Sequence, residues 1–187
     1  MRQHILPALK ITLISVIFFS GIYTLLIWLI AQAAPGKGEG VTVIAGGKVV
    51  GYALIGQSFT QDKYFCGRPS AVGYNAAGSG GSNKGPGNPD YLKDVQSRID
   101  TFLVHNPGIK KEEIPSELVT SSGSGQDPDL SPKGAYVQVP RIAKARNIDE
   151  ARVKELVGNH IEKPLLGLLG TEKVNVLKLN ADLDKLK

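Results

Sequence analysis

The chain has 187 residues, 42% of them hydrophobic and 21% charged, with a formal net charge of +5 and a single cysteine. That leaves room for one domain of about 100 to 150 residues and excludes a collagen-like chain, extended disorder and a disulfide scaffold. The averages conceal a division: residues 1–34 carry only the charges Arg2 and Lys10, whereas the remainder carries 20 basic and 17 acidic side chains, a net of +3.

The uncharged block comes first. Ile11 to Ile30 holds thirteen Leu, Ile, Phe or Val residues in twenty, and at roughly 1.5 Å per residue a helix of that length spans the hydrocarbon core of a bilayer. Its insertion is worth on the order of −4 to −8 kcal/mol as an upper figure. Trp28 falls near the far end, where an amphipathic ring suits the interface. A cleaved signal peptide is the rival reading, because Ala31-Gln32-Ala33 has a small-x-small pattern, but the apolar run exceeds the roughly 7 to 15 residues of a signal core. Arg2 and Lys10 favour an N-terminus held in the cytoplasm. The expected organisation is a cytoplasmic N-terminus at 1–10, a membrane-spanning anchor at 11–33, a small-residue linker at 34–40 and an extracytoplasmic (periplasmic) domain at 41–187.

Past the linker, Val41 to Ala45 and Lys48 to Ile55 alternate strand-forming residues around Gly46-Gly47, which predicts a β-hairpin. From Gly67 to Pro89 the chain is rich in Gly, Ser, Asn and Pro; composition fits a flexible linker, while Arg68, Pro69, Ser70, Tyr74, Asn75 and Asn83 within it fit an ordered functional loop equally well. Asn88-Pro89 caps a helix carrying Leu92, Val95, Ile99, Phe102 and Leu103, stopped by Asn106-Pro107-Gly108. Ser131-Pro132 opens a second helix that Pro140 should kink or split. A third begins near Asp149, and Lys173 to Leu179 reads as a last strand. The predicted class is α+β: one N-terminal transmembrane helix, then a domain with a small sheet and about three helices.

The chemistry-bearing patterns are sparse. Cys66 has no partner, and His4, His105 and His160 lack ligand spacing, so a metal site has little support. Neither Gly78 to Lys84 nor Ser122 to Gly125 fits a phosphate loop, and no serine sits in a nucleophile elbow. Asp127-Pro128-Asp129 with Ser131 has alternating oxygen ligands but lacks the closing Glu and central Gly of a calcium loop, so helix capping explains it better. Arg141, Lys144 and Arg146 give one helix a basic face, expected to be solvated or to dock a partner. From the residues alone, the class is a membrane-anchored binding or assembly domain with no self-sufficient active site.

Several blocks are specific when taken in order: Phe65-Cys66-Gly67-Arg68-Pro69-Ser70-Ala71, Tyr74-Asn75, Ser79-Gly80-Gly81-Ser82-Asn83, Gly85-Pro86, Asn88-Pro89, and Ser122 through Pro132. With Leu54 to Gln57, Gln138, Arg141, Ala143 and Arg146, the chain resembles the KdpC family of the bacterial Kdp potassium-transporting ATPase. One block departs: where the family commonly has Leu-Asp-Pro-His-Ile-Ser, this chain has Gln126, Asp129 and Leu130 at the first, fourth and fifth places, so no role needing that histidine operates here.

The resemblance implies a non-catalytic accessory subunit of a high-affinity potassium importer in the bacterial inner membrane. Its implied partners are a channel-like potassium-binding subunit, a P-type ATPase subunit and a very small accessory subunit. The chain itself lacks the Asp-Lys-Thr-Gly phosphorylation sequence. ATP and potassium are then handled by the complex, with no cofactor of the chain's own, and the family role is a catalytic chaperone that raises the ATPase subunit's affinity for ATP. The residues implied to act on partners or nucleotide are Gly67, Arg68, Pro69, Ser70, Tyr74, Asn75, Ser79, Gly80, Ser82, Asn83, Asn88, Pro89, Ser122, Gly123, Ser124, Gly125, Asp127, Pro128, Ser131, Gln138 and Arg141. An outward-facing domain would not meet cytoplasmic ATP, so coupling at a distance fits better than direct contact. The alternative is an anchored or secreted protein that captures a small anion with its Gly-rich loops; an enzyme reading lacks a base, nucleophile or metal set.

Overall fold

The structure, a computed structural model, describes residues 2–186, the side chain of Arg2 excepted. It divides into two compact units, Met1–Val41 and Thr42–Lys187.

The first unit is helical. Helix α1 (Arg2–Val16), a π-helical stretch (Ile17–Tyr23) and helix α2 (Thr24–Gln32) follow without a break. Thirty residues, Gln3–Gln32, are long and apolar enough to cross a membrane. The wider π turn displaces carbonyls from the i−4 ladder, and Thr24 Oγ1 donates to the Phe19 carbonyl at 2.9 Å. Residues 2–10, expected to precede the span, belong to the same helix. A turn at Pro35–Gly38 follows, with Gly36 and Lys37 at φ 77° and 50°.

The second unit opens with the hairpin β1 (Thr42–Ala45) and β2 (Lys48–Tyr52), joined by Gly46 and Gly47 at φ 56° and 77°, as a primed two-residue turn requires. The second strand ends three residues earlier than expected. Helix α3 (Pro89–His105) starts where Asn88 Oδ1 accepts from the backbone N–H of Asp90 and Tyr91. The predicted second helix is split: α4 (Pro132–Tyr136) is capped by Ser131, and α5 (Val139–Arg146) takes Pro140 into its first turn, where the missing N–H leaves no ladder bond unmade. Helix α6 (Glu150–Asn159) is capped by Asp149, as read from the sequence.

A three-stranded antiparallel sheet, separate from the hairpin, has the order β3 (Asp129–Leu130), β5 (Lys173–Asn175), β4 (Ile161–Glu162). The expected strand from Lys173 to Leu179 is corrected here: it stops at Asn175, and Val176–Leu183 form helix α7. Asn175 Oδ1 caps that helix by accepting from Lys178 N–H at 3.0 Å. Val176, Leu179 and Leu183 then fall on one buried face, a helical spacing that the β-branched start of the segment disguised. The core joins Phe65, Leu118 and Leu130 to Val139 and Ile142 of α5, Val153 and Val157 of α6, and this face of α7.

Candidate functional site

The two glycine-rich stretches are ordered and fastened to each other, which decides between linker and loop. Gly56 N–H donates to the Gln126 carbonyl at 2.8 Å, Ser122 N–H to Pro69 at 3.1 Å, and Gly80 N–H to Ser124 at 2.9 Å. Ser79 Oγ donates to the same Ser124 carbonyl at 3.0 Å. Ser70 Oγ donates to the Gly125 carbonyl at 2.6 Å and accepts from Tyr74 N–H at 2.8 Å. Gln126 Nε2 reaches the Asn75 carbonyl at 2.7 Å, and Arg68 pairs with Asp127 at 3.0 Å. The Tyr74 hydroxyl donates to the Arg68 carbonyl, and burial chiefly pushes its pKa up to about 12.

Glycine is required where these strands of loop cross. Gly125 has φ +69°, and a Cβ there would sit 2.6 Å from Val72 Cγ2 and 2.7 Å from the Gly80 carbonyl oxygen. At Gly56 a Cβ would stand 2.5 Å from the Asp127 carbonyl oxygen. The hydroxyls and backbone N–H groups that a phosphate cradle would use are thus partly spent within the clasp.

Beneath the clasp, two buried amides grip the backbone of two consecutive residues. Asn180 Oδ1 accepts from Phe65 N–H at 2.9 Å while its Nδ2 donates to the Phe65 carbonyl at 2.9 Å. Gln138 does the same for Cys66, at 2.8 and 3.1 Å. Arg141 does not belong to a solvated basic face: it is buried, with its guanidinium on Asn106 Oδ1, the carbonyls of Asp62 and Tyr64, and Gln138 Oε1. Arg146 likewise turns to the Lys63 carbonyl at 2.7 Å and to Asp184 at 2.6 Å, leaving Lys144 exposed. The helix-capping reading of Asp127 and Asp129 is also corrected. Ser131 Oγ makes the cap, while Asp127 Oδ1 accepts from Asp129 N–H and Asp129 pairs with Lys173 at 2.7 Å.

A cleft of about 350 Å³ opens beside this clamp, lined by residues of α3 (Arg98, Thr101, Phe102, His105), by Asn106 and Leu118, and by Asp62, Cys66, Gln138 and Arg141. Burial raises the Cys66 thiol above its ordinary range, partly offset by the Arg141 cation. Asp62 stands 2.7 Å from His105 Nδ1 and 3.8 Å from Arg141. Among the described residues no group of three or more His, Cys, Asp or Glu could hold a metal ion.

Of the residues singled out by sequence, Gly67 to Asn75, Ser79, Gly80 and Ser122 to Asp127 therefore meet in one clasp, with Gln138 and Arg141 under it. Pro128 ties the clasp to α7 through its carbonyl, 2.9 Å from Val176 N–H. Ser82 and Asn83 lie exposed on the outer turn, and Asn88 and Pro89 serve the start of α3. Sequence reasoning passed over Asp62, Arg98, Asn175 and Asn180, and read Asn106 only as a helix stop. Asn180 had a readable signal, an amide interrupting the apolar face of a terminal helix. It also passed over a turn in which Leu165, Leu166, Leu168 and Leu169 are 68%, 82%, 85% and 62% exposed.

Comparison with known proteins identifies the family. A family model described as KdpC, K+-transporting ATPase, c chain, matches residues 5–185. Proteins named potassium-transporting ATPase KdpC subunit from Flavobacterium psychrophilum, Bacteroides fragilis and Caldanaerobacter subterraneus subsp. tengcongensis are 57%, 54% and 45% identical to it. The matches cover 99%, 99% and 98% of this chain and 100%, 98% and 95% of theirs. The chain belongs to the KdpC family of K+-transporting ATPase components.

Proposed function

We infer that the chain is an accessory subunit that holds an ATP-driven potassium uptake complex together in the bacterial inner membrane. Its anchor helix is retained, with the N-terminus cytoplasmic and the second unit periplasmic. It braces a channel-like potassium-binding subunit against a P-type ATPase subunit, alongside a small accessory subunit. Those partners handle potassium and ATP; by fixing their arrangement the chain raises ATP affinity through coupling at a distance, as a catalytic chaperone.

The observation that carries this reading is the leucine turn. Leu165 N–H donates to the Leu169 carbonyl at 3.1 Å, Leu169 N–H to Leu165 at 3.0 Å, and Gly167 N–H to Pro164 at 2.9 Å. A turn that satisfies these backbone groups itself enters an apolar contact without stranding them. Leu166 is held at φ 56°, a left-handed conformation costing a branched side chain about 1 kcal/mol, and points into solvent. Exposed leucines in such a turn fit a surface made to be covered by a partner subunit.

The test is co-purification of the tagged full chain from membranes. Leu166→Ser with Leu168→Ser, both at solvent-facing positions, should leave the chain folded and reduce recovery of the two large partners about tenfold or more. Undiminished recovery of both would contradict the reading.

A further inference from the structure

Arg68, Arg141 and Arg146 each meet a carboxylate within 4 Å, at Asp127, Asp62 and Asp184 respectively. Arg98 does not. It lines the cleft, half-buried, and among the described residues its one hydrogen bond is Nη1 to the Val119 carbonyl at 3.1 Å. Its remaining guanidinium donors are not buried out of reach, so an anion entering the cleft can meet them without breaking an existing ion pair.

The cleft's charges leave a surplus of the same sign. Its titratable lining consists of Arg98, Arg141, His105, Cys66 and the single carboxylate Asp62, which His105 and Arg141 already engage. Arg141 is itself committed to Asn106, Gln138 and two backbone carbonyls. One planar cation with no carboxylate partner matches one planar carboxylate, which accepts two parallel N–H bonds from a guanidinium edge. A polyphosphate would call for several cations or a row of free N–H groups. The remaining lining, Phe102 and Leu118 in particular, asks for hydrocarbon, and a volume of about 350 Å³ lies within the range of small-ligand sites.

We propose that this cleft binds an apolar monocarboxylate, with the carboxylate on Arg98 and the hydrocarbon body against Phe102 and Leu118. The carboxylate is supplied either by a free acid or by the C-terminus of a peptide. The cleft adjoins the glycine-rich clasp at Gly67, and its ligand does not depend on the accessory role.

Equilibrium dialysis of the full-length protein in detergent micelles, with protein-free micelles subtracted, tests it using 3-phenylpropionate and its isosteric amide, 3-phenylpropionamide. The expected result is saturable binding of one acid per chain, with the amide about tenfold weaker or worse. Arg98→Gln brings the acid down to the level of the amide, and Arg98→Lys restores part of the difference. An N-acetylated tripeptide ending in Phe is compared with the free acid: tighter binding of the peptide assigns a chain terminus as the natural ligand, and tighter binding of the acid assigns a free metabolite. Equal retention of acid and amide by the unsubstituted protein, or none above empty micelles, overturns the proposal whether or not the Arg98 variants fold; so does an Arg98→Gln protein that retains the acid's full affinity.

Discussion

Gln138 occupies both backbone hydrogen-bonding positions of Cys66, accepting from its N–H at 2.8 Å and donating to its carbonyl at 3.1 Å. The amide is fully buried and also donates to the Gly134 carbonyl at 2.9 Å. A segment with no neighbouring strand is thus held as if it had one. Gln138→Leu keeps the volume but leaves the Cys66 N–H and carbonyl without partners, at a cost of about 2 to 4 kcal/mol. Thermal unfolding of the full chain should show a clear fall in Tm; an unchanged Tm would mean that the clamp contributes nothing net.

The glycine clasp makes a comparative prediction. Gly73 and Gly125 both have positive φ, +63° and +69°, but a Cβ at Gly73 meets nothing within 4 Å. Gly73→Ala should cost about 1 to 2 kcal/mol from backbone strain alone, and Gly125→Ala about 1 kcal/mol or more beyond that, because Val72 and the Gly80 carbonyl would have to move. Denaturant midpoints of the two variants measure the difference, and equal midpoints would rule out the close crossing.

Charged groups around the three-stranded sheet set the pH range of stability. The Lys178 hydrogen bond, foremost, holds the Glu162 carboxyl below its ordinary value of 4.5, and the Lys185 hydrogen bond holds Asp182 below 3.8. The hydrogen bond to Asp129 raises Lys173 above 10.5. The carboxylates contribute fully above their ordinary values, and the contribution is lost as pH falls through the depressed ones. Lys173 contributes fully below its ordinary value and loses the contribution as pH rises through the raised one. The contribution of these groups should therefore fall at both pH extremes. Glu162→Gln should flatten the acid limb of a Tm against pH profile; an acid limb as steep as before would remove Glu162 from the account.

Burial and reactivity meet at Cys66. Its thiol titrates above the ordinary value of 9.0 because it is withdrawn from water. Alkylation by iodoacetamide at pH 7.5 should be slower than in the urea-unfolded chain, since the thiolate is the nucleophile. Equal rates would place the thiol in solvent.

The elements that sequence patterns carry well are those whose signals are local. Asn88-Pro89, Ser131-Pro132 and Asp149 announce helix starts, and the apolar run to Ile30 announces the long helix. Asn175 defeated the pattern at the C-terminus because one capping side chain turned a β-branched run into a helix. The clasp was visible only as blocks; that Ser70 meets Gly125, 55 positions away, depends on tertiary folding. The basic spacing of Arg141 and Arg146 was legible too, but not its direction, because carbonyls of the irregular segment from Asp62 to Tyr64 draw both guanidiniums inward.

If the second unit braces the proposed potassium-transporting assembly, removing it dissolves that assembly. The most direct measurement is potassium uptake, with co-purification of the partner subunits, in cells whose only copy of this chain ends at Pro35. Uptake at low external potassium should be lost, and the large subunits should no longer purify as a stable complex. A fully assembled complex transporting at the undiminished rate would contradict the bracing role.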